Sequence, residues 1–145
     1  MKIAIGSDHA GYERKLEVVE HLKKLGYEVI DVGTNSLDSC DYPDFGIACA
    51  NLVSNHEAEY GVLICSSGEG IMMAANKVKG IRCGIAYNDD VARLMRQHNN
   101  ANIIAFGASF MNKEDVLKRV DIFLSTDFEG GRHERRVNKI IEAEK

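Results

Sequence analysis

Five apolar runs of strand length alternate with helical patterns along the whole of this 145-residue chain. The runs cover residues 2–6, 27–32, 60–65, 81–86 and 102–106. Each run is continuously apolar rather than alternating, which is typical of strands that are covered on both faces. Repeated strand–helix units of this kind predict an α/β fold, in which right-handed crossovers wind a mostly parallel sheet between two layers of helices.

Helical patterns fill the segments between and after these runs. They are predicted over residues 12–25, 45–53, 70–78, 89–97 and 113–124, with a last helix from about Gly131. Stop and start signals support several of these boundaries, namely Gly26 after the first helix, Pro43 before the second and Asn88 as a cap of the fourth. We therefore expect a single domain, residues 1–145, built as a Rossmann-like, doubly wound three-layer sandwich around a five-stranded sheet.

Charge and residue spacing exclude several classes of partner. The formal net charge is −4, so the overall field does not attract polyanions, and we expect no nucleic-acid partner. No apolar run approaches the roughly 18 to 20 residues of a membrane span, and the apolar start is too short for a signal peptide, so a cytoplasmic location without membrane association is expected. The four cysteines and five histidines form neither C-x-x-C nor H-x-x-x-H spacing, so no metal is expected.

The turn Cys65-Ser66-Ser67-Gly68-Glu69-Gly70 carries the strongest functional signal. It joins a predicted strand to a predicted helix, where open α/β sheets bind their ligands. A helix N-terminus stabilises a thiolate, and the N–H groups of a glycine-rich turn accept an anion or an enediolate oxygen. We interpret Cys65 as a functional thiol with an exposed sulfur. We interpret Cys40, Cys49 and Cys83 as buried small hydrophobes.

Turns after other strands add polar candidates to the same expected crevice. Asp8 and His9 follow the first strand, Ser109 follows the fifth, and His98 ends the helix after the fourth. We expect Asp8 and His98 to share one side of the sheet with Cys65, where a histidine–aspartate pair acts as general acid or base near neutral pH. The alternative interpretations are a helix cap at Asp8 and a dipole partner at His98.

Arg132 and Arg136 lie four residues apart and therefore on one face of the last helix. A basic face of this kind is usually solvated. Two arginines also grip a phosphate in a forked geometry. Spacing alone favours the two interpretations equally.

Eight segments taken together resemble the type B ribose-5-phosphate isomerases of the ribose/galactose isomerase family. In chain order they are Ser7-Asp8-His9-Ala10-Gly11, Asp41-Tyr42-Pro43, Ile64-Cys65, Gly68-x-Gly70, Ala74-Ala75-Asn76-Lys77, Gly80-Ile81-Arg82, Arg96-Gln97-His98-Asn99 and Gly130-Gly131-Arg132-His133. The resemblance covers essentially the whole chain. It implies an aldose–ketose isomerase of the pentose phosphate pathway that interconverts D-ribose 5-phosphate and D-ribulose 5-phosphate without a metal or an organic cofactor.

The resemblance also implies roles for individual residues. His98, aided by Asp8, opens the furanose ring; Cys65 carries a proton between C1 and C2; and Ser67 shifts a proton between O1 and O2. The remaining implied contacts are backbone amides of Ser66, Gly68, Glu69 and Gly70 to a cis-enediolate, Asn99 to the sugar, and His9, Arg132 and Arg136 to the phosphate. Family members are dimers or tetramers, which implies a homodimer or homotetramer in which the C-terminal helix, about 131–145, contributes to the dimer interface and its arginines reach the neighbouring site.

The chain departs from the usual family pattern at three positions. Ser66 adds bulk where glycine is usual, Glu69 stands where an apolar or amide residue is more common, and Ser109 replaces an arginine that helps to hold the phosphate. One lost cation in a phosphate site is worth about 1 to 3 kcal/mol. Two alternatives therefore stay open: an isomerase of allose 6-phosphate, galactose 6-phosphate or a tetrose phosphate, and a non-catalytic flavodoxin-like module that binds a phosphorylated ligand.

Overall fold

One parallel sheet of five strands organises the structure, a computed structural model that describes all residues from Met1 to Lys145. The strand order is β2-β1-β3-β5-β4, and every neighbouring pair is parallel. The strands are β1 (Lys2–Ser7), β2 (Glu28–Gly33), β3 (Tyr60–Cys65), β4 (Cys83–Ile85) and β5 (Ile103–Gly107). The predicted α/β, doubly wound architecture is confirmed.

Six helices flank the sheet. They are α1 (Tyr12–Lys24), α2 (Tyr42–Ser54), α3 (Glu69–Ala75), α4 (Asp89–Gln97), α5 (Lys113–Leu124) and α6 (Arg132–Glu142), with a short 3-10 turn at His9–Gly11 before α1. The predicted cap of α4 is confirmed, because the Asn88 side chain accepts a hydrogen bond from the Val91 N–H at 2.8 Å. None of the helices is long and apolar enough to cross a bilayer.

Two elements are shorter than the sequence predicts, and the side chain of Asn76 joins them. Asn76 ends α3, and its amide donates to the Cys83 carbonyl at 3.0 Å and accepts from the Cys83 N–H at 2.8 Å. These side-chain bonds bring the end of α3 onto the start of β4. β4 is an edge strand with β5 as its sole neighbour, and it is three residues long.

The core consists of two apolar clusters, one on each face of the sheet. Alternate residues of β3 divide between them: Val62 and Ile64 pack towards α1, α4 and α5, whereas Leu63 and Cys65 pack towards α2 and α3. This division follows from the two-residue period of a strand. It explains why the apolar runs are continuous, since both faces of each strand are buried.

Candidate active site

Cys65 ends the central strand β3, and its sulfur is buried rather than exposed. The side chain is 4% exposed and packs with Ile71 and Ala75 of α3. The expectation of an exposed sulfur is therefore wrong, because the pleat of β3 points residue 65 into the α2–α3 layer. The Gly68 N–H donates a hydrogen bond to the Cys65 Sγ at 3.2 Å. A donor aimed at the sulfur stabilises a negative charge there.

The turn after Cys65 fits tightly against the turn after β5. The Ala108 N–H donates to the Cys65 carbonyl at 2.9 Å. A Cβ atom at residue 107 would overlap the Ser67 carbonyl oxygen, so glycine alone permits this approach. Gly68 has a φ of +84°, a left-handed conformation that glycine adopts without strain. The conformation of the turn beside the Cys65 sulfur is thus fixed by backbone contacts rather than by flexible side chains.

The hydroxyl groups of the turn face solvent. The Ser67 Oγ accepts a hydrogen bond from the Glu69 N–H at 3.2 Å, at the first turn of α3. The Ser66 and Ser109 hydroxyls bond to each other at 2.8 Å, so two of the three departures from the family pattern are in direct contact. Glu69 is exposed and forms no salt bridge.

Asp8 lies next to the cysteine, at the end of β1. Its N–H donates to the carbonyl of Ile64 at 3.3 Å, and the residue as a whole is 6% exposed. The Oδ1 atom accepts from the Gly11 N–H at 3.1 Å. The helix-cap interpretation of Asp8 is therefore confirmed, and the same bond fixes the carboxylate at the edge of the sheet where Cys65 ends.

His9 is half-buried and oriented by residue 40. Its Nδ1 accepts from the Cys40 N–H at 3.3 Å and lies 3.8 Å from the Cys40 Sγ. An Nδ1 that accepts leaves the proton on Nε2, which then donates to a ligand. Cys40 was expected to be buried and is instead half-buried beside His9. Cys49 and Cys83 are buried as expected, and burial raises the pKa of Cys49 to about 12 and that of Cys83 further.

His98 lies where the strands begin, which we call the amino edge of the sheet, whereas Cys65 lies where they end, the carboxyl edge. Helix α4 starts after β4 and returns the chain to the amino ends of the strands, where Arg96 donates to the Tyr60 hydroxyl at 3.1 Å. Tyr60 begins β3 and Cys65 ends it, so five residue steps of roughly 3.3 Å separate the two edges by about 17 Å. The expectation that His98 shares one side of the sheet with Cys65 is wrong within a single chain.

Helix α6 begins beside His98, at this same amino edge. The rings of His98 and His133 stack with centroids 4.1 Å apart and planes inclined by 13°. Arg132 and Arg136 are exposed, and the only hydrogen bond between them is the 3.5 Å contact from the Arg136 Nη1 to the Arg132 carbonyl. Their guanidinium groups are therefore available to an anion.

Glu129 also lies at this edge and is not among the site residues that the sequence predicts. Its Oε1 lies 3.9 Å from the His98 Nε2 and 3.6 Å from the His133 Nε2, and these three side chains are the one group in the structure that could hold a metal ion. Glu129 lies four residues before His133, in the irregular segment that precedes α6. The proximity of His98 comes from tertiary packing, which the spacing does not show.

The candidate residues of one chain thus form two separate groups. The cysteine group lies at the carboxyl edge and comprises Asp8, His9, Cys65, Ser66, Ser67, Gly68, Glu69, Gly70 and Ser109. The histidine group lies at the amino edge and comprises His98, Asn99, Glu129, Arg132, His133 and Arg136. Asn99 lines a cavity of about 440 Å³ between the end of α6 and β4, whereas Cys65 lines none of the five cavities.

Comparison with known proteins gives consistent matches over nearly the whole chain. The family model described as Ribose/Galactose Isomerase matches residues 3–140. The chain is 44% identical to the ribose-5-phosphate isomerase B of Escherichia coli, covering 99% of this chain and 96% of that protein. It is 45% identical to the probable ribose-5-phosphate isomerase B of Mycoplasma genitalium, covering 99% and 95%.

Solved structures agree with these sequence matches. The ribose-5-phosphate isomerase B of Clostridium thermocellum is similar with a TM-score of 0.98 and 51% identity, covering 99% of this chain and 97% of that one. The Mycoplasma genitalium protein, solved with bound ribulose-5-phosphate, is similar with a TM-score of 0.95 and 44% identity, covering 99% and 95%.

Proposed function

The chain belongs to the ribose/galactose isomerase family, and on that premise we propose that it interconverts D-ribose 5-phosphate and D-ribulose 5-phosphate. The observation that carries this proposal is the Cys65 sulfur, held by the Gly68 N–H at 3.2 Å beside a glycine-rich turn at the carboxyl edge of the sheet. A relative with 44% identity is described with ribulose-5-phosphate bound. We place this reaction in the pentose phosphate pathway and in the cytoplasm.

Proton transfer between carbons is the role of Cys65 in this proposal. Its thiolate removes the proton from C2 of the open-chain aldose, the electron pair forms the C1–C2 double bond, and the negative charge moves to O1. The Ser67 hydroxyl then relays the O2 proton to O1. The thiol returns its proton to C1 as the C2 carbonyl forms, so the thiolate is restored. N–H groups of the turn stabilise the charged oxygen.

Ring opening precedes this transfer and requires a group that moves a proton from the C1 hydroxyl to the ring oxygen. A histidine exchanges protons near neutral pH, and His98 takes this role with Asp8 beside the sugar. The step concerns only the aldose: ribulose 5-phosphate carries its phosphate on O5 and forms no furanose ring.

Ring opening and proton transfer occur at neighbouring atoms, so His98 and Cys65 must contact one substrate. Within one chain about 17 Å separates their edges of the sheet. We therefore propose a homodimer, or a tetramer built from such dimers, in which His98 of the partner subunit faces Cys65. A two-fold axis makes the same contact twice and completes two equal sites.

Exposed apolar side chains are available for this assembly. Tyr42, Ile47 and Met73 of α2 and α3 line a shallow cavity of about 310 Å³ and are exposed, as are Ile140 and Ile141 of α6. Pairing these two surfaces brings α6 of one chain near the start of α3 in the other. In that arrangement His9 and the partner's Arg132 and Arg136 surround the phosphate.

An assay of the purified protein and its Cys65→Ala variant tests the isomerase proposal. We expect the variant to lose turnover of ribose 5-phosphate by about 10²- to 10⁴-fold, the usual contribution of a positioned acid–base group, while ligand binding persists. Cys49→Ala is the matched control, since Cys49 is a buried thiol of the same apolar layer. A Cys65→Ala enzyme with near wild-type turnover would refute the role of Cys65 and direct attention to Glu69.

The Ser66–Ser109 hydroxyl pair keeps a second substrate in consideration. The pair places neutral groups where the family commonly has an arginine, so a phosphorylated hexose or tetrose is the alternative substrate of the same site. Parallel assays on ribose 5-phosphate, allose 6-phosphate, galactose 6-phosphate and a tetrose phosphate decide between them. Higher kcat/KM on any other sugar than on ribose 5-phosphate would overturn our choice.

A further inference from the structure

We propose that His98, Glu129 and His133 form a binding site for Zn²⁺, and that zinc bound there inhibits the isomerase. Three potential ligand atoms, one from each side chain, lie within 4.8 Å of one another. Two imidazole nitrogens and one carboxylate oxygen form the ligand set of open zinc sites, with a fourth position left for water. The inhibitory part of the inference rests on the proposed role of His98.

The distances are close to those of tetrahedral zinc. With bonds of about 2.0 to 2.2 Å, adjacent ligand atoms stand roughly 3.3 Å apart. The Glu129 Oε1 is 3.6 Å from the His133 Nε2 and 3.9 Å from the His98 Nε2, and all three ligand atoms lie within 4.8 Å of one another, so the site contracts when it binds the ion. The two rings are stacked, and one must rotate to direct its lone pair at a shared ion. His98, with a side chain 39% exposed, has the room to rotate.

The backbone that carries the three ligands is held in place. The Glu129 N–H donates to the Gln97 carbonyl at 3.1 Å, next to His98. The buried Arg96 side chain donates to the carbonyls of Thr126 and Ala101 at 3.0 and 2.8 Å, on either side of the cluster. A site whose ligands are already positioned binds metal with less loss of conformational freedom.

The two imidazole ligands favour a borderline transition metal over a hard cation. Mg²⁺ and Ca²⁺ prefer oxygen ligands, and one carboxylate does not satisfy them. Zn²⁺ accepts imidazole. A nitrogen bound to zinc has no lone pair for proton transfer, so zinc blocks ring opening.

Calorimetric titration of the metal-free protein with ZnCl₂ measures the site without substrate. We expect one ion per chain, no uptake of MgCl₂, and affinities lowered more than about 10-fold in Glu129→Gln and His133→Asn, since loss of a direct ligand costs more than the loss of an outer-shell partner. Two variants test other zinc ligands: His21→Asn removes a histidine that pairs with Asp121 at 2.7 Å elsewhere, and Cys40→Ser removes the thiol beside His9. Both should bind zinc as the wild type does.

Inhibition is measured against each variant's own metal-free rate. At a zinc concentration ten times the dissociation constant, occupancy of about nine-tenths lowers the wild-type rate about tenfold. Absence of zinc binding, wild-type affinity in both Glu129→Gln and His133→Asn, or loss of binding in Cys40→Ser would each overturn the site. Binding without inhibition would overturn the regulatory role. A protein that binds zinc here but never isomerises a sugar phosphate would refute the proposed function and leave the site intact.

Discussion

Mixing two inactive variants should restore activity if each site uses both chains. Cys65→Ala removes the proposed base of the cysteine group, and His98→Asn removes the proposed ring-opening group of the histidine group. Each variant alone should retain less than about 1% of the activity on ribose 5-phosphate, since acid–base groups contribute at least about 10²-fold. The two residues lie near opposite ends of β3, a strand about 17 Å long.

The expected recovery follows from random pairing in a two-fold dimer. Equal amounts of the two variants form about half mixed dimers, and each mixed dimer has one intact site and one doubly altered site. About 25% of the wild-type sites are therefore restored. Sites confined to one chain restore none. The measurement is the isomerase rate after joint refolding or co-expression with two affinity tags, which confirm that mixed dimers have formed.

The control is a mixture of two variants that are both altered within the cysteine group. Cys65→Ala mixed with Asp8→Asn leaves every mixed site with one altered residue, because both positions belong to the cysteine group. This mixture should stay inactive. Mixed dimers of Cys65→Ala and His98→Asn that are isolated through both tags and remain inactive would refute the shared site.

Three further outcomes are expected. Arg136→Ala should raise KM for the sugar phosphate about tenfold or more, with a smaller change in kcat, because a charge-assisted bond to phosphate is worth about 1.5 to 3 kcal/mol; an unchanged KM in steady-state assays would contradict this role. Hydrogen bonds from Lys118 and Arg119 lower the pKa of Asp89, so its stabilising contribution is present above the ordinary carboxyl pKa and lost as pH falls through the lowered value. Asp89→Asn should therefore lower the Tm at pH 7 and leave it unchanged in acid below both values, and equal Tm differences at both pH values would disprove the pairing. A thiol reagent should label Cys40 in the native protein and Cys49 only after unfolding, because burial raises the pKa of Cys49 to about 12; mass spectrometry of native protein labelled at Cys49 would contradict its burial.

The sequence predicts the central strands well because their burial is uniform. β3 lies between two neighbours and two helical layers, so its apolar run ends where the strand ends, at Cys65. β4 is half as long as predicted, because the apolar run covers residues 81–86 whereas the strand covers only Cys83–Ile85 at the edge of the sheet. Apolar patterning detects burial, and it does not detect how many residues of an edge strand pair with the neighbouring strand.

The site was harder to predict than the fold, for two physical reasons. The direction of Cys65 depends on the pleat of β3: since Leu63 faces the α2–α3 layer, residue 65 must face it too. The position of His98 depends on the nine residues of α4, which return the chain to the amino edge. Contacts such as the His98–His133 stack join segments that are distant in sequence, and no local pattern indicates them.

The two serines of the site act as one unit, and this changes what binds the phosphate. Ser109 donates its N–H to the Ser66 carbonyl at 3.0 Å while their hydroxyls bond at 2.8 Å. Glycine at 66 removes the partner of the Ser109 hydroxyl, and a long side chain at 109 must pass the Ser66 hydroxymethyl group. With no cation at 109, the positive charge that faces the phosphate in the proposed site is supplied by Arg132 and Arg136. In the proposed dimer both belong to the partner subunit, so phosphate affinity depends on assembly, and dilution that separates the chains removes binding together with catalysis.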